Sequence, residues 1–194
     1  MRVTDPSTSE LSGEDQPRAQ EETSLVRWLA ELIAMVALAF LLATAIRTFV
    51  IQPYVVPTGS MIPTIEIGDR VIANKFIYRF RDPQPGDIIV LDDPTGTVPT
   101  LIKRVIATEG QTVDLQGGVV LVDGEPLSEP YTHDLPSEPQ TVQMPFTVPD
   151  DSVWLMGDNR TNSQDSRYFG AVPLEEVRGQ AFFRFWPVDR IGSM

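Results

Sequence analysis

Thr100-Leu101-Ile102-Lys103-Arg104-Val105-Ile106-Ala107 is an apolar, β-branched run with two cations set inside it. Such composition favours a strand, and strand side chains alternate between faces. Leu101, Lys103, Val105 and Ala107 would then share one face, and Ile102, Arg104 and Ile106 the other. Lys103 therefore stands among apolar neighbours. An ammonium stripped of water there is penalised relative to the neutral amine, so its pKa falls. To act as a base near neutrality it must drop to about 8, which corresponds to roughly 3 kcal/mol against the charged form. The bland alternative is a Lys stem lying on apolar surface with its head in water.

Similar short runs flank this one on both sides: Phe49–Val56, Arg70–Ala73, Asp87–Leu91, Val119–Val122, Ser152–Met156 and Gln180–Phe185. Pro53, Pro57, Pro63, Pro83-Gln84-Pro85-Gly86 and Gly117-Gly118 punctuate them. Asp123-Gly124 between Val119–Val122 and Pro126-Leu127 is a hairpin signal. No segment beyond residue 50 keeps a helical apolar period for three turns. The pattern predicts a mainly β domain over residues 48–194, built as a closed or partly closed barrel. Residues 124–149 contain Pro126, Pro130, Pro136, Pro139, Pro145 and His133 and read as a surface loop. The wider segment 108–150 reads as a small second lobe or flap.

The N-terminal part has a different character. Residues 1–24 are polar and acidic and are expected to be a disordered tail. Trp28–Ile46 then holds 19 residues with a single charge, Glu31. As a helix it would extend about 28 Å, close to the hydrocarbon thickness of a bilayer. A membrane-spanning helix over 25–47 is the expectation; a cleaved signal peptide and a buried core helix are the alternatives. The long acidic tail argues against a signal peptide, which begins short and basic. Arg18 and Arg27 precede the run and only Arg47 closes it, which places the tail in the cytoplasm and the β domain outside.

Composition narrows the chemistry. The chain has 194 residues and a net charge of -12, which argues against nucleic acid as a partner. It has no Cys and a single His, His133, in a polar Pro-rich stretch. Thiolate nucleophiles, Cys-ligated metals and two-His metal sites are excluded within one chain. No metal or organic cofactor is expected. A serine nucleophile would need a base other than His, and Lys is the alternative. Lys75 and Lys103 are the only lysines.

Ser60 is the candidate hydroxyl. Pro57-Thr58-Gly59-Ser60-Met61-Ile62-Pro63-Thr64 is a rigid turn able to hold a side chain and aim backbone N–H groups at one point. A third cluster, Gly157-Asp158-Asn159-Arg160 through Gly170, follows a strand-like run and is dense in short polar residues.

These blocks, with Gly68-Asp69-Arg70-Val71-Ile72-Ala73-Asn74-Lys75, stand in the order found in type I signal peptidases. The chain from the apolar run to Val188 resembles that family of membrane-bound Ser–Lys proteases. The resemblance implies a signal-peptidase/repressor-peptidase-like β-barrel-type catalytic domain behind one N-terminal transmembrane helix. It implies Ser60 as nucleophile and Lys103 as base, with the Ser60 N–H and the Thr58 hydroxyl as oxyanion hole. Ser163 would orient the Lys103 amine, and Asp165 with Arg167 would form a supporting ion pair. Tyr54, Val56, Met61, Ile65, Val71 and Ile102 would wall the pockets that accept small side chains. The partners implied are signal peptides of secreted preproteins and the lipid bilayer, at the cell membrane. A self-cleaving repressor-type peptidase would carry a DNA-binding domain where this chain has a polar tail and an apolar run. A partner-binding β domain without chemistry would need neither Ser60 nor Lys103.

Overall fold

In the computed structural model, residues 18–194 are described. A single helix, α1 (Arg18–Phe49), contains the apolar run. Within it Leu25–Thr48, 24 residues whose most apolar 18-residue stretch has a mean hydropathy of 2.4, is long and apolar enough to cross a bilayer. Its one acid, Glu31, accepts a hydrogen bond from Arg27 Nε at 3.0 Å. Thr44 returns its hydroxyl to the Phe40 carbonyl at 2.8 Å. Both polar groups are thus partnered inside the helix, as a lipid environment demands. The tail expected over 1–24 is helical from Arg18 onward, and residues 1–17 lie outside the described residues.

Twelve strands follow: β1 (Ile51–Val55), β2 (Arg70–Asn74), β3 (Ile88–Asp92), β4 (Thr100–Thr108), β5 (Thr112–Gln116) and β6 (Val119–Val122) come first. Then come β7 (Glu125–Pro126), β8 (Phe146–Thr147), β9 (Ser152–Met156), β10 (Val172–Pro173), β11 (Val177–Trp186) and β12 (Gly192–Ser193). A short helix, α2 (Ser166–Phe169), separates β9 from β10. The larger sheet runs β1-β2-β11-β3-β4-β9-β10, with β12 on β11. Its end strands do not pair with each other, so the barrel is only partly closed. The smaller sheet runs β7-β6-β5-β8 and occupies the segment between β4 and β9.

The central strand β3 is buried on both sides, because an apolar run without alternation can satisfy two cores at once. Ile88 and Val90 join Val56, Met61, Ile65, Val71, Ala73 and Ala181. Ile89 and Leu91 join Val105, Val153, Leu155 and Val172 on the other face. The smaller sheet closes a third cluster around Trp154, with Val113, Leu115, Val120 and Val148. At Asp123-Gly124 the φ angles are 53° and 85°, the positive pair that a two-residue hairpin turn requires.

One expectation is corrected at β4. The register between β4 and β9 shifts between Val105 and Ala107. Strict alternation would put these two residues on one face. Instead Val105 packs with Ile89 and Leu91, while Ile106 and Ala107 both enter the Trp154 cluster. A bulge re-aims consecutive side chains, and no local composition signals it. β5 is a further strand, in which buried Val113 and Leu115 alternate with polar Thr112, Asp114 and Gln116.

Candidate active site

Ser60 sits in the turn joining β1 to β2. Ile62 N–H donates to the Gly59 carbonyl and Ile65 N–H to the Met61 carbonyl, which tightens the turn around the hydroxyl. Lys103 lies in the middle of β4, opposite Ile89 of β3. Its side chain is 1% exposed, and that of Ser60 is also buried. The Lys103 Nζ donates to Ser60 Oγ at 2.8 Å and to the Ile102 carbonyl at 3.2 Å. Burial holds the amine down to about 8; Asp165 opposes the shift and Arg167 adds to it. This is the direction desolvation dictates for a cation.

Asp165 and Arg167 are both fully buried and bind each other twice. Arg167 Nε and Nη2 donate to Asp165 Oδ1 and Oδ2 at 2.8 and 2.9 Å. Asp165 also accepts from the Gly157 N–H at 3.0 Å and caps α2. Its carboxylate is thereby spent on an arginine and two N–H groups, which leaves the Lys103 amine without a dedicated counter-ion.

Ser163 departs from what the resemblance implies. Its hydroxyl is buried and has no hydrogen-bond partner, so the bond to Lys103 is not made. Thr58 is exposed on the rim of a groove that runs from Tyr54 to Met61 and along Thr100–Ile102, with Ser60 in it. Tyr54, Val56, Met61 and Ile102 line that groove. Ile65 and Val71 do not: each is 0% exposed and belongs to the core beside Val56 and Met61. Val56 and Met61 belong to that same cluster but also border the groove, whereas Ile65 and Val71 lie behind them. His133 is exposed on its loop, with φ at 50°.

The contacts of three residues, Asn159, Asp158 and Arg104, were not legible from residue type. Asn159 donates its N–H to the Ser60 carbonyl and its side-chain amide to the Gly59 carbonyl, both at 3.0 Å. Asp158, 0% exposed, accepts from Arg104 Nε and Nη2 at 2.8 and 2.7 Å and from the Thr64 hydroxyl. Arg104 also donates to the Gly86 carbonyl at 2.9 Å. The 157–160 loop therefore grips both ends of the serine turn. Two arginines secure the far end of that turn: Arg184 reaches the Thr64 carbonyl at 2.7 Å, and Arg190 reaches Asp69 at 3.2 Å. The Gly157-Asp158-Asn159-Arg160 block marks this loop in the sequence but not which carbonyls it holds.

A buried serine–lysine contact beside an apolar groove is an arrangement for attack on a carbonyl. Compared with known proteins, residues 29–186 match the family described as signal peptidase, peptidase S26. The chain belongs to the signal peptidase family. It is 44% identical over 174 residues to a signal peptidase I of Leptolyngbya laminosa, covering 86% of this chain and 84% of that one. A probable signal peptidase I-1 of Synechocystis is 42% identical over 176 residues, covering 87% and 88%. A signal peptidase I of Mycobacterium tuberculosis is 34% identical over 244 residues, covering 95% and 80%. As a signal peptidase family member the chain is a hydrolase acting on peptide bonds.

Proposed function

We propose that this protein is a membrane-anchored serine endopeptidase that removes N-terminal signal peptides from exported preproteins after small residues, at sites of the Ala-x-Ala type. The observation that carries the reading is the 2.8 Å contact between Lys103 Nζ and Ser60 Oγ, made by an amine 1% exposed. Neutral Lys103 takes the Ser60 proton as Oγ attacks the scissile carbonyl. The resulting ammonium gives that proton to the leaving amine, and water then hydrolyses the ester with Lys103 again as base. The Ser60 N–H and the Thr58 hydroxyl stabilise the developing oxyanion. Asp165 and Arg167 hold the surrounding loop as a neutral pair.

The groove supports the preference for small side chains, since its volume is only about 20 Å³ and Tyr54, Val56, Met61 and Ile102 put apolar side chains on its wall. The Leu25–Thr48 segment would anchor the domain in the cell membrane as a single pass, with the N-terminus cytoplasmic and the β domain on the far side. Tethering in the same bilayer as an apolar signal helix raises the effective concentration of substrate. Residues 48–194 would form the catalytic domain, with 108–150 as its second lobe.

The test is cleavage of a preprotein bearing an Ala-x-Ala site by Ser60→Ala and Lys103→Ala. Each should lose cleavage while remaining folded. Lys103→Arg should fail as well, because a guanidinium does not give up its proton. Turnover at the wild-type rate in Ser60→Ala or Lys103→Ala rejects the dyad.

A further inference from the structure

The loop between β7 and β8 of the second lobe reaches the serine turn through one carboxylate. Arg160 is 2% exposed. Its Nε donates to the Gly157 carbonyl at 3.0 Å. Its Nη1 donates to Glu129 Oε2 at 2.7 Å and to Ser137 Oγ at 2.6 Å, and its Nη2 donates to Glu129 Oε1. Glu129 is the charge partner of this guanidinium, with a side chain only 11% exposed. Tyr131, two residues on, donates its hydroxyl to Glu129 Oε1 at 3.1 Å and lays its ring 4.0 Å under the Arg104 guanidinium.

We propose that Glu129 is a positioning residue of the peptidase: through Arg160 it holds the 157–160 loop against the backbone of Ser60. The proposal rests on the Ser60–Lys103 reading given above. The chain of contacts is continuous. Glu129 fixes Arg160, Arg160 fixes the Gly157 carbonyl, and the next two residues bind the serine turn. Asp158 takes the Thr64 hydroxyl, and Asn159 gives its N–H to the Ser60 carbonyl. Removing the carboxylate leaves a buried guanidinium with neutral acceptors alone, so water must enter or the arginine must move. Either event loosens the loop that sets where Ser60 Oγ stands relative to Lys103 Nζ, and misplacement by about 1 Å can cost on the order of a hundredfold in rate. Tyr131 couples the same segment to Arg104, the residue after the base. The second lobe is thereby a structural part of the active site and not only an appended flap.

The experiment measures kcat, KM and the pH–rate profile of the full-length protein in detergent, on an Ala-x-Ala preprotein, well below the melting temperature. Glu129→Gln keeps the shape and removes the charge, Glu129→Asp keeps the charge, and Ser60→Ala is the control. Glu129→Gln should lower kcat about tenfold or more with KM changed less than about twofold. Its basic-form limb should move up toward the ordinary lysine value as water reaches Lys103. Glu129→Asp should recover part of both. A kcat and a pH limb unchanged in Glu129→Gln overturn the proposal. So does a loss of melting temperature with no change in either readout, since that is a merely structural role. Activity persisting in Ser60→Ala would instead sink the Ser60–Lys103 reading, whatever Glu129 does.

Discussion

The carbonyl oxygen of Ser60 lies 2.4 Å from the point a Cβ on Gly157 would occupy, and Ser163 Oγ lies 2.3 Å from it. The residue that follows β9 thus lacks a side chain, which lets two chain segments touch. Gly157→Ala would push backbone against backbone, where no rotamer can yield. Its kcat should fall by about a hundredfold and its stability by about 1–3 kcal/mol. Adding Ser163→Ala removes the Oγ collision and leaves the Ser60 carbonyl and the residue-163 Cβ, so the double variant should not recover stability. A melting temperature restored to that of Ser163→Ala would show that the serine backbone has room to move.

Activity should follow the charge on Lys103. Burial holds its amine down to about 8, and in the proposed mechanism the neutral form is the base. Below that value the rate should fall about tenfold for each pH unit, and above it the rate should reach a plateau. A kcat/KM profile flat from pH 6 to 9 would rule out a lysine base.

The same burial has a cost in stability. Folding lowers the amine from the ordinary lysine range to about 8. Between those values the unfolded chain carries a proton that the folded chain lacks, so stability rises with pH there. Below pH 8 the fold bears the whole penalty, on the order of 3 kcal/mol. Lys103→Met keeps the volume and removes the charge. It should be inactive yet more stable at pH 7, by about 1–3 kcal/mol, with the difference shrinking toward pH 10. Calorimetry at the two pH values checks this; an equal difference at both would deny the penalty.

Ser163 separates stability from activity. A buried hydroxyl without a partner is unfavourable by about 1–3 kcal/mol, and a fold retains such a group where function uses it. In the proposed mechanism Ser163 takes up the Lys103 amine when Ser60 Oγ turns toward a substrate carbonyl. Ser163→Ala should therefore melt at the same temperature or higher, while kcat drops at least about tenfold. Unchanged kcat would mean that the amine needs no second hydroxyl.

Much of the site is visible along the chain because each part is local. The turn around Ser60 announces itself through Pro57, Gly59 and Pro63, and the strand around Lys103 through its β-branched neighbours. The pocket wall is less visible: Ile65 and Val71 have the right chemistry and share a core cluster with Val56 and Met61, and only the tertiary placement of the groove separates lining from core. Glu129 carries no local signal, since an acid in a Pro-rich loop is ordinarily solvated. The bulge after Val105 is equally silent, because one extra residue in a ladder depends on the partner strand.

By itself the sequence determined the apolar helix, the β character of the rest, the absence of thiol and two-His chemistry, and the short polar segments that mark the site. These follow from periodicity and composition, which act between near neighbours. Tertiary structure decided that Ser60 meets Lys103 across 43 residues, that Asp165 is taken by Arg167, and that Glu129 reaches Arg160. Those contacts depend on strand order and on which groups lose water together, and both are properties of the packed sheets rather than of any one segment.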